Sequence, residues 1–240
     1  MVVILLVIGA ISFFLASMFT FKPVTRITTI VLSGIVLAGS IGLMIGNSKD
    51  HFGMEKVETT STQTIYSASN SESMPLALYK PVGTSGKNDV YIYNSKPSQK
   101  TPNHTQANQY THNKVKWTNK ATAKMTTVET RWEYKNSFYK NLYMWSGMGH
   151  TLIHRTNTFT YPKTWVKITT TQAAGLKKEM GSTQAKTAMA TQGKQYVEAK
   201  VAAAMAKNPQ MTATEQAQIV KQAQLEFESN ALKQAVAELK

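Results

Sequence analysis

Cysteine is absent from all 240 residues. That removes disulfides, thiol nucleophiles, Cys-ligated zinc, iron–sulfur clusters and the cysteine of a lipoprotein anchor. Acidic residues are scarce: 13 Asp plus Glu stand against 27 Lys plus Arg, for a net charge of +14. So few carboxylates argue against paired acid/base chemistry on sugars. Arginine is scarce too, since beyond residue 46 only Arg131 and Arg155 occur and every other basic side chain is Lys. Base-edge reading favours the Arg fork, whereas Lys acts as a solvated point charge. Sequence-specific nucleic acid is therefore a poor fit. Diffuse attraction to polyanions, such as lipid head groups or phosphate-rich wall polymers, is a good one.

Charge is missing altogether from two stretches, Val2 to Phe21 and Ile27 to Gly46, which contain no Asp, Glu, Lys, Arg or His. At 1.5 Å per residue each spans about 30 Å, the thickness of a bilayer's hydrocarbon core. The link between them is so short that both are expected to cross as an antiparallel helical hairpin, making the lipid bilayer a partner. The first run has no basic leader, and Ala16-Ser17-Met18 is a poor cleavage site, so it reads as a retained span. Lys22 and Arg26 sit together in the link. By the positive-inside rule they belong in the cytoplasm, with both ends of the hairpin facing out. The remaining chain carries +12 once those two charges are set aside, but long domains translocate largely regardless of charge.

Within the second run Gly34, Ala38, Gly42 and Gly46 recur every four residues. Such a smooth stripe permits close helix–helix approach in lipid. It would seat the first helix, through Gly9, Ser12 and Ala16, or serve as a docking face for another membrane protein.

Four regions follow in order: the two-helix hairpin over 1–46, a polar stalk and first strand over 47–75, a β-rich extracytoplasmic domain over 76–171, and an Ala/Gln/Lys-rich helical segment over 172–240. Strand-like texture begins at Val57 to Tyr66. Leu76 to Tyr79 and Val90 to Tyr93 read as a hairpin, residues 94–113 as a long exposed loop, and Val115 to Thr118 as a short strand. Val128, Thr130, Trp132 and Tyr134 alternate with Glu129, Arg131 and Glu133, a half-buried strand with a charge ladder on its outer face. Phe138 to Trp145, Thr151 to Tyr161 and Trp165 to Ile168 read as further strands. The expected fold is a transmembrane hairpin, then a mainly antiparallel β domain (a sandwich or partly open barrel), then C-terminal helices. One helix is expected over Gln184 to Lys207. A second follows Thr212, whose spacing to Glu215 is that of a capping box.

No catalytic residue emerges. Gly83-Thr84-Ser85-Gly86-Lys87 lacks the Gly and the Ser/Thr of a phosphate-binding loop, having Pro81 and Asn88 at those places. His104, His112, His150 and His154 show no metal-site spacing, and neither a metal nor a cofactor is expected. Aromatic density from Tyr134 to Trp165 divides by parity into Tyr139, Tyr143 and Trp145 against Phe138, Leu142 and Met144. One set should be core. The other is either also core or a stacking or lipid-interface surface, and core on both sides is the preferred reading.

The hairpin, together with Met74 to Thr84 and Val90 to Tyr93, resembles a family of two-span membrane proteins of Gram-positive bacteria whose function is unknown. The likeness covers roughly residues 1–170 and implies a bacterial envelope location, but no activity and no site residues. The leading expectation is a non-enzymatic envelope protein whose basic domain binds anionic wall polymer or an envelope partner. An accessory subunit of a membrane complex comes second. An enzyme built from residues such as His150, His154, Tyr143 and Glu133, without a local signature, comes last. If the link charges govern insertion, a tag after Lys240 will be cut by protease added to wall-stripped cells while the Lys22–Arg26 link stays protected. Protection of the tag until the membrane is permeabilised would reverse the orientation.

Overall fold

A computed structural model describes residues 1–20, 22–69, 75–83, 88–179 and 182–239. It begins with α1 (Val2–Phe19) and α2 (Pro23–Asp50), both long and apolar enough to span a membrane. Pro23 starts α2, where its missing N–H costs nothing. Polar side chains along α2 fold back on the helix: the Thr28, Thr29 and Ser33 hydroxyls donate to the carbonyls of Val24, Thr25 and Thr29 at 2.9, 2.9 and 2.7 Å. Such internal bonds satisfy the hydroxyls without water.

The two helices meet along a seven-residue repeat, with Val2, Gly9 and Ala16 buried on α1 and Ser33, Ser40 and Asn47 buried on α2. Gly9 and Ala16 thus do the work expected of them. Of the α2 stripe, Gly34 and Gly46 are half-buried and a Cβ on Gly34 would lie 4.0 Å from the Phe13 ring of α1, while Ala38 and Gly42 are exposed and a Cβ on Gly42 would meet nothing within 4 Å. The seam lies one residue round the helix. A serine whose hydroxyl is folded onto its own backbone is nearly as smooth as glycine.

The chain divides into two compact units, residues 1–60 with 128–155, and residues 61–127 with 156–240. Strands β1 (Met54–Thr64), β6 (Lys124–Tyr134) and β7 (Thr151–Pro162) contribute to both. In the first unit, α2 ends at His51, which is left-handed at φ 54°. Trp132 stacks on the His51 ring at 3.9 Å, with the Lys56 ammonium 5.2 Å from its centroid. The segment expected as a strand, Phe138 to Trp145, is instead helix α3 (Ser137–Leu142), opened by the Asn136 side chain accepting from the Tyr139 N–H at 3.2 Å. On a helix Tyr139 and Tyr143 share a face, four residues apart, and Trp145 leaves it. Tyr143 is buried while Phe138, Met144 and Trp145 are exposed, so the expectation of core on both sides fails.

The second unit holds β2 (Leu76–Val82), β3 (Asn88–Tyr93), β4 (Asn103–His104), β5 (Thr111–Thr118), β8 (Val166–Thr169) and helices α4 (Thr170–Glu179), α5 (Thr183–Lys207) and α6 (Ala213–Glu238). Two four-stranded sheets run β1-β6-β7-β5 and β4-β3-β2-β8. The β2–β3 pair is the expected antiparallel hairpin, with Leu78 opposite Ile92. The β2–β8 pair is parallel, with Leu76 opposite Val166 and Leu78 opposite Ile168, so that sheet is mixed rather than antiparallel throughout. Ala77 and Tyr91 from one sheet share a core with Met125, Phe159 and Tyr161 from the other. A second cluster joins Leu76, Val166 and Ile168 to Leu176 of α4 and Leu232 of α6. Helices α4 and α6 therefore pack on the β domain, α5 lies against α6 through Tyr196 and Phe227, and Thr212 and Glu215 form the expected capping box.

At Gly9 an added Cβ would lie 3.2 Å from both Leu37 and Val36 side chains, whereas at Gly39 it would meet nothing within 4 Å. Gly9→Leu should accordingly destabilise the helix pair by about 1–3 kcal/mol through overpacking, read as a lower unfolding midpoint in detergent micelles. Gly39→Leu should leave the midpoint unchanged.

Candidate polyanion-binding face

Strand β5 alternates cleanly: Thr111 is buried and Asn113 and Val115 are half-buried, while His112, Lys114 and Lys116 are exposed. It lies at the edge of its sheet, so one side of its backbone has no strand neighbour. Lys120, exposed on the turn that follows, and Lys124, exposed at the start of β6, continue the run. The Thr118 hydroxyl accepts from the Lys120 N–H at 3.2 Å, and the Thr118 carbonyl accepts from the N–H of exposed Lys163 at 3.0 Å. Successive outward residues of a strand sit about 7 Å apart, so Lys114 and Lys116 form a spaced row of charge. Trp117, 45% exposed, has the opposite parity, with its ring 6.0 Å from that of buried Tyr161.

Beneath the row, Asn113 ties β5 down. Its amide donates to the Asp89 carbonyl at 2.7 Å and the Thr105 hydroxyl at 3.0 Å, and its Oδ1 accepts from the Asn157 amide at 2.9 Å. Asn157 in turn accepts from the Thr127 hydroxyl at 2.9 Å, and Thr105 Oγ1 accepts from the Tyr91 N–H at 3.0 Å. Strands β3, β5, β6 and β7 are thereby linked through buried or half-buried side chains.

The segment that carries β5 holds no acid of its own. No Asp or Glu occurs between Asp89 and Glu129, while Lys96, Lys100, Lys114, Lys116, Lys120 and Lys124 all do. All six are exposed, and among the described residues none takes part in an ion pair. Asp89, at the head of this stretch, is taken by Lys167 at 3.1 Å. That ammonium also lies 4.2 Å from the Tyr79 ring centroid and 5.3 Å from that of Tyr91. Burial works to lower the Lys167 pKa, but its contacts with Tyr91 and Asp89 outweigh it and raise it above the ordinary value, while burial pushes the Tyr91 phenol up. Edge-strand lysines also bar pairing with a second chain. That role covers Lys114 and Lys116 but not Lys96, Lys100, Lys120 or Lys124, which lie outside the strand.

The other candidates fall out differently. Of the glycine-rich loop only Gly83 is described, at φ +71°, and Thr84 to Lys87 lie outside the described residues. The expected charge ladder on β6 is present. Glu129 accepts from Arg131 at 2.8 Å and from Arg155 at 2.6 Å. Burial favours the neutral acid, but the two guanidinium groups prevail and hold the Glu129 carboxyl below the usual range. Glu133 and His150 are brought together at 2.5 Å, yet the His150 side chain is 76% exposed, on a left-handed turn residue. Tyr143, by contrast, is buried, and His154 is exposed on β7. That arrangement is a surface pair. Among the described residues no three His, Asp or Glu side chains converge to hold a metal ion.

Sequence reasoning counted the lysines without locating a face. The acid-free interval from 90 to 128 was the available signal.

The family comparison bears on the same region. The chain belongs to the DUF4811 family, a domain of unknown function, whose model matches residues 22–176 and so takes in α2, every strand and most of α4. No curated protein and no solved structure matches the chain.

Proposed function

We propose that this DUF4811 protein is a two-span, non-enzymatic protein of the bacterial cell envelope, whose domain faces outward and binds anionic wall polymer through the lysine face of β5 and its following turn. The observation that carries the reading is six exposed lysines that form no ion pair among the described residues, in an interval that contains no acid. A flexible polyanion needs no shaped pocket. It needs spaced cations that release condensed counterions, and Lys supplies these without imposing a geometry. The resemblance to two-span proteins of Gram-positive bacteria and the charge of the Lys22–Arg26 link favour the envelope and the outward placement.

A second reading, an accessory subunit of a membrane complex, is favoured by one observation. Ala38 and Gly42 are exposed and play no part in the seam with α1, which leaves a smooth stripe on α2 open to another helix.

Full-length protein in phosphatidylcholine nanodiscs should bind a teichoic-type polyglycerol phosphate, with affinity falling steeply as salt rises. Replacing Lys114, Lys116, Lys120 and Lys124 with Gln should shrink the slope of log K against log salt by roughly three, at about 0.7–0.9 per contact. Salt-independent binding, or none at low salt, would refute the polymer reading. The accessory-subunit reading requires a membrane protein that co-purifies with the wild type and is released by Gly42→Leu without loss of the domain's fold. A wild type that purifies alone would remove it.

A further inference from the structure

We propose that residues 137–146 make a second membrane contact: Phe138, Met144 and Trp145, together with Phe52, form an apolar collar seated at the headgroup–acyl boundary of the bilayer that α1 and α2 cross. The inference rests on the reading that the helix pair spans a membrane, and extends it to a segment too short to cross one.

Chain geometry sets the depth. The uncharged run ends at Gly46, and α2 finishes one turn later with Lys49 and Asp50. His51 and Gly53, both at positive φ, then turn the chain. That turn stands at the edge of the hydrocarbon core, and α3 is fastened to it on several sides. The Lys135 N–H donates to the Gly53 carbonyl at 3.1 Å. The Tyr139 ring lies so close over Gly53 that a Cβ there would overlap it. Phe52 meets Tyr139 edge to face at 5.8 Å. At the first turn of α1 the Met1 amino group donates to the carbonyls of Asn141 and Leu142, at 3.0 Å each. The ends of both long helices thus hold α3 at their own level.

The two faces of the segment differ. Tyr143 is buried and stacks on Tyr134 at 6.1 Å, which spends the inner face on protein. Outward, Phe138 is 67% exposed and Trp145 64%, with Met144 and Phe52 about half exposed. Exposed Lys135 and Lys140 flank them. Large rings beside long cationic stems are the composition of a membrane interface: the rings sit among the upper acyl chains and glycerol groups, and the ammonium groups reach anionic head groups. Lipid-facing side chains lie along the same helix ends, since Ile4, Leu5 and Ile8 of α1 and Ile41, Met44 and Ile45 of α2 are exposed within about three turns of the termini that hold α3. A water-facing site for these rings would leave large apolar side chains uncovered beside a bilayer able to cover them.

The cysteine-free sequence makes the test direct, because a single introduced cysteine reports alone. Phe138→Cys and Trp145→Cys, with Ile35→Cys in mid-helix and Thr101→Cys on an exposed loop as references, would each carry an environment-sensitive fluorophore. The full-length proteins would be reconstituted in phosphatidylcholine–phosphatidylglycerol vesicles. Labels at 138 and 145 should emit to the blue of the 101 label, be quenched by lipids spin-labelled near the head group, and resist aqueous iodide. If they behave like 101 while 35 reports deep lipid, the collar is wrong and the spanning pair stands. If they resist both iodide and the shallow lipid quencher, protein covers them and the collar is wrong. If 35 itself behaves like 101, the spanning reading falls and takes the collar with it.

Discussion

Asn113 is the side chain on which the basic strand depends. Edge strands are held by one neighbour only, and β5 also carries repelling charges on its outer face. Its security comes from below, where one amide reaches the Asp89 carbonyl, the Thr105 hydroxyl and the Asn157 amide together. A half-buried network of this kind is stabilising when every member is satisfied and costly when one is removed, because the stranded partners lose water without gaining a substitute. The same bonds fix which face of β5 looks outward, since a one-residue slip would turn Lys114 and Lys116 in and Asn113 out. Charge presentation and strand register are therefore one problem with one solution.

The acids tell a complementary story. Where a carboxylate lies close to the β domain's cations it is matched to specific partners: Asp89 to Lys167, Glu129 to Arg131 and Arg155. Both arginines of the region beyond the helix pair go to a single carboxylate, where planar multi-bond pairing is useful. The exposed lysines are left to act collectively. Within one domain both arginines are thus spent on a single carboxylate, while among the lysines Lys167 is matched to Asp89 and the tyrosine rings and the row on β5 stays at the surface.

Much of this was legible in the sequence, and the failures have physical causes. The helix pair, the β2–β3 hairpin and the Thr212–Glu215 cap are local patterns, and each formed as read; β6 formed as a strand, with Val128 to Tyr134 half-buried on both faces rather than alternating. Helix α3 was missed because Phe138 to Trp145 is aromatic enough to pass for a strand. Its helical signals, Asn136 as cap and Tyr139 with Tyr143 four apart, cover barely six residues. The parallel direction of β8 was unreadable, because Val-Lys-Ile-Thr alternates the same way in either direction. On α2 a glycine stripe outshone the Ser33–Ser40–Asn47 seam, since a sequence does not reveal that a serine hydroxyl has folded onto its own helix. The lysine face required noticing an absence, the interval without acid, rather than any motif.

Leu232 has a consequence for how the chain comes to be folded. It completes the cluster of Leu76, Val166, Ile168 and Leu176 from α6, well past the point where the family likeness stops at residue 176. A boundary of ancestry is therefore not a boundary of cooperativity. As the chain is made from its amino end, β8 is available to pair with β2 long before α6 exists, leaving one flank of that sheet apolar and uncovered in the interval. The final helix acts as a latch whose arrival converts an assembled but open sheet into a finished domain.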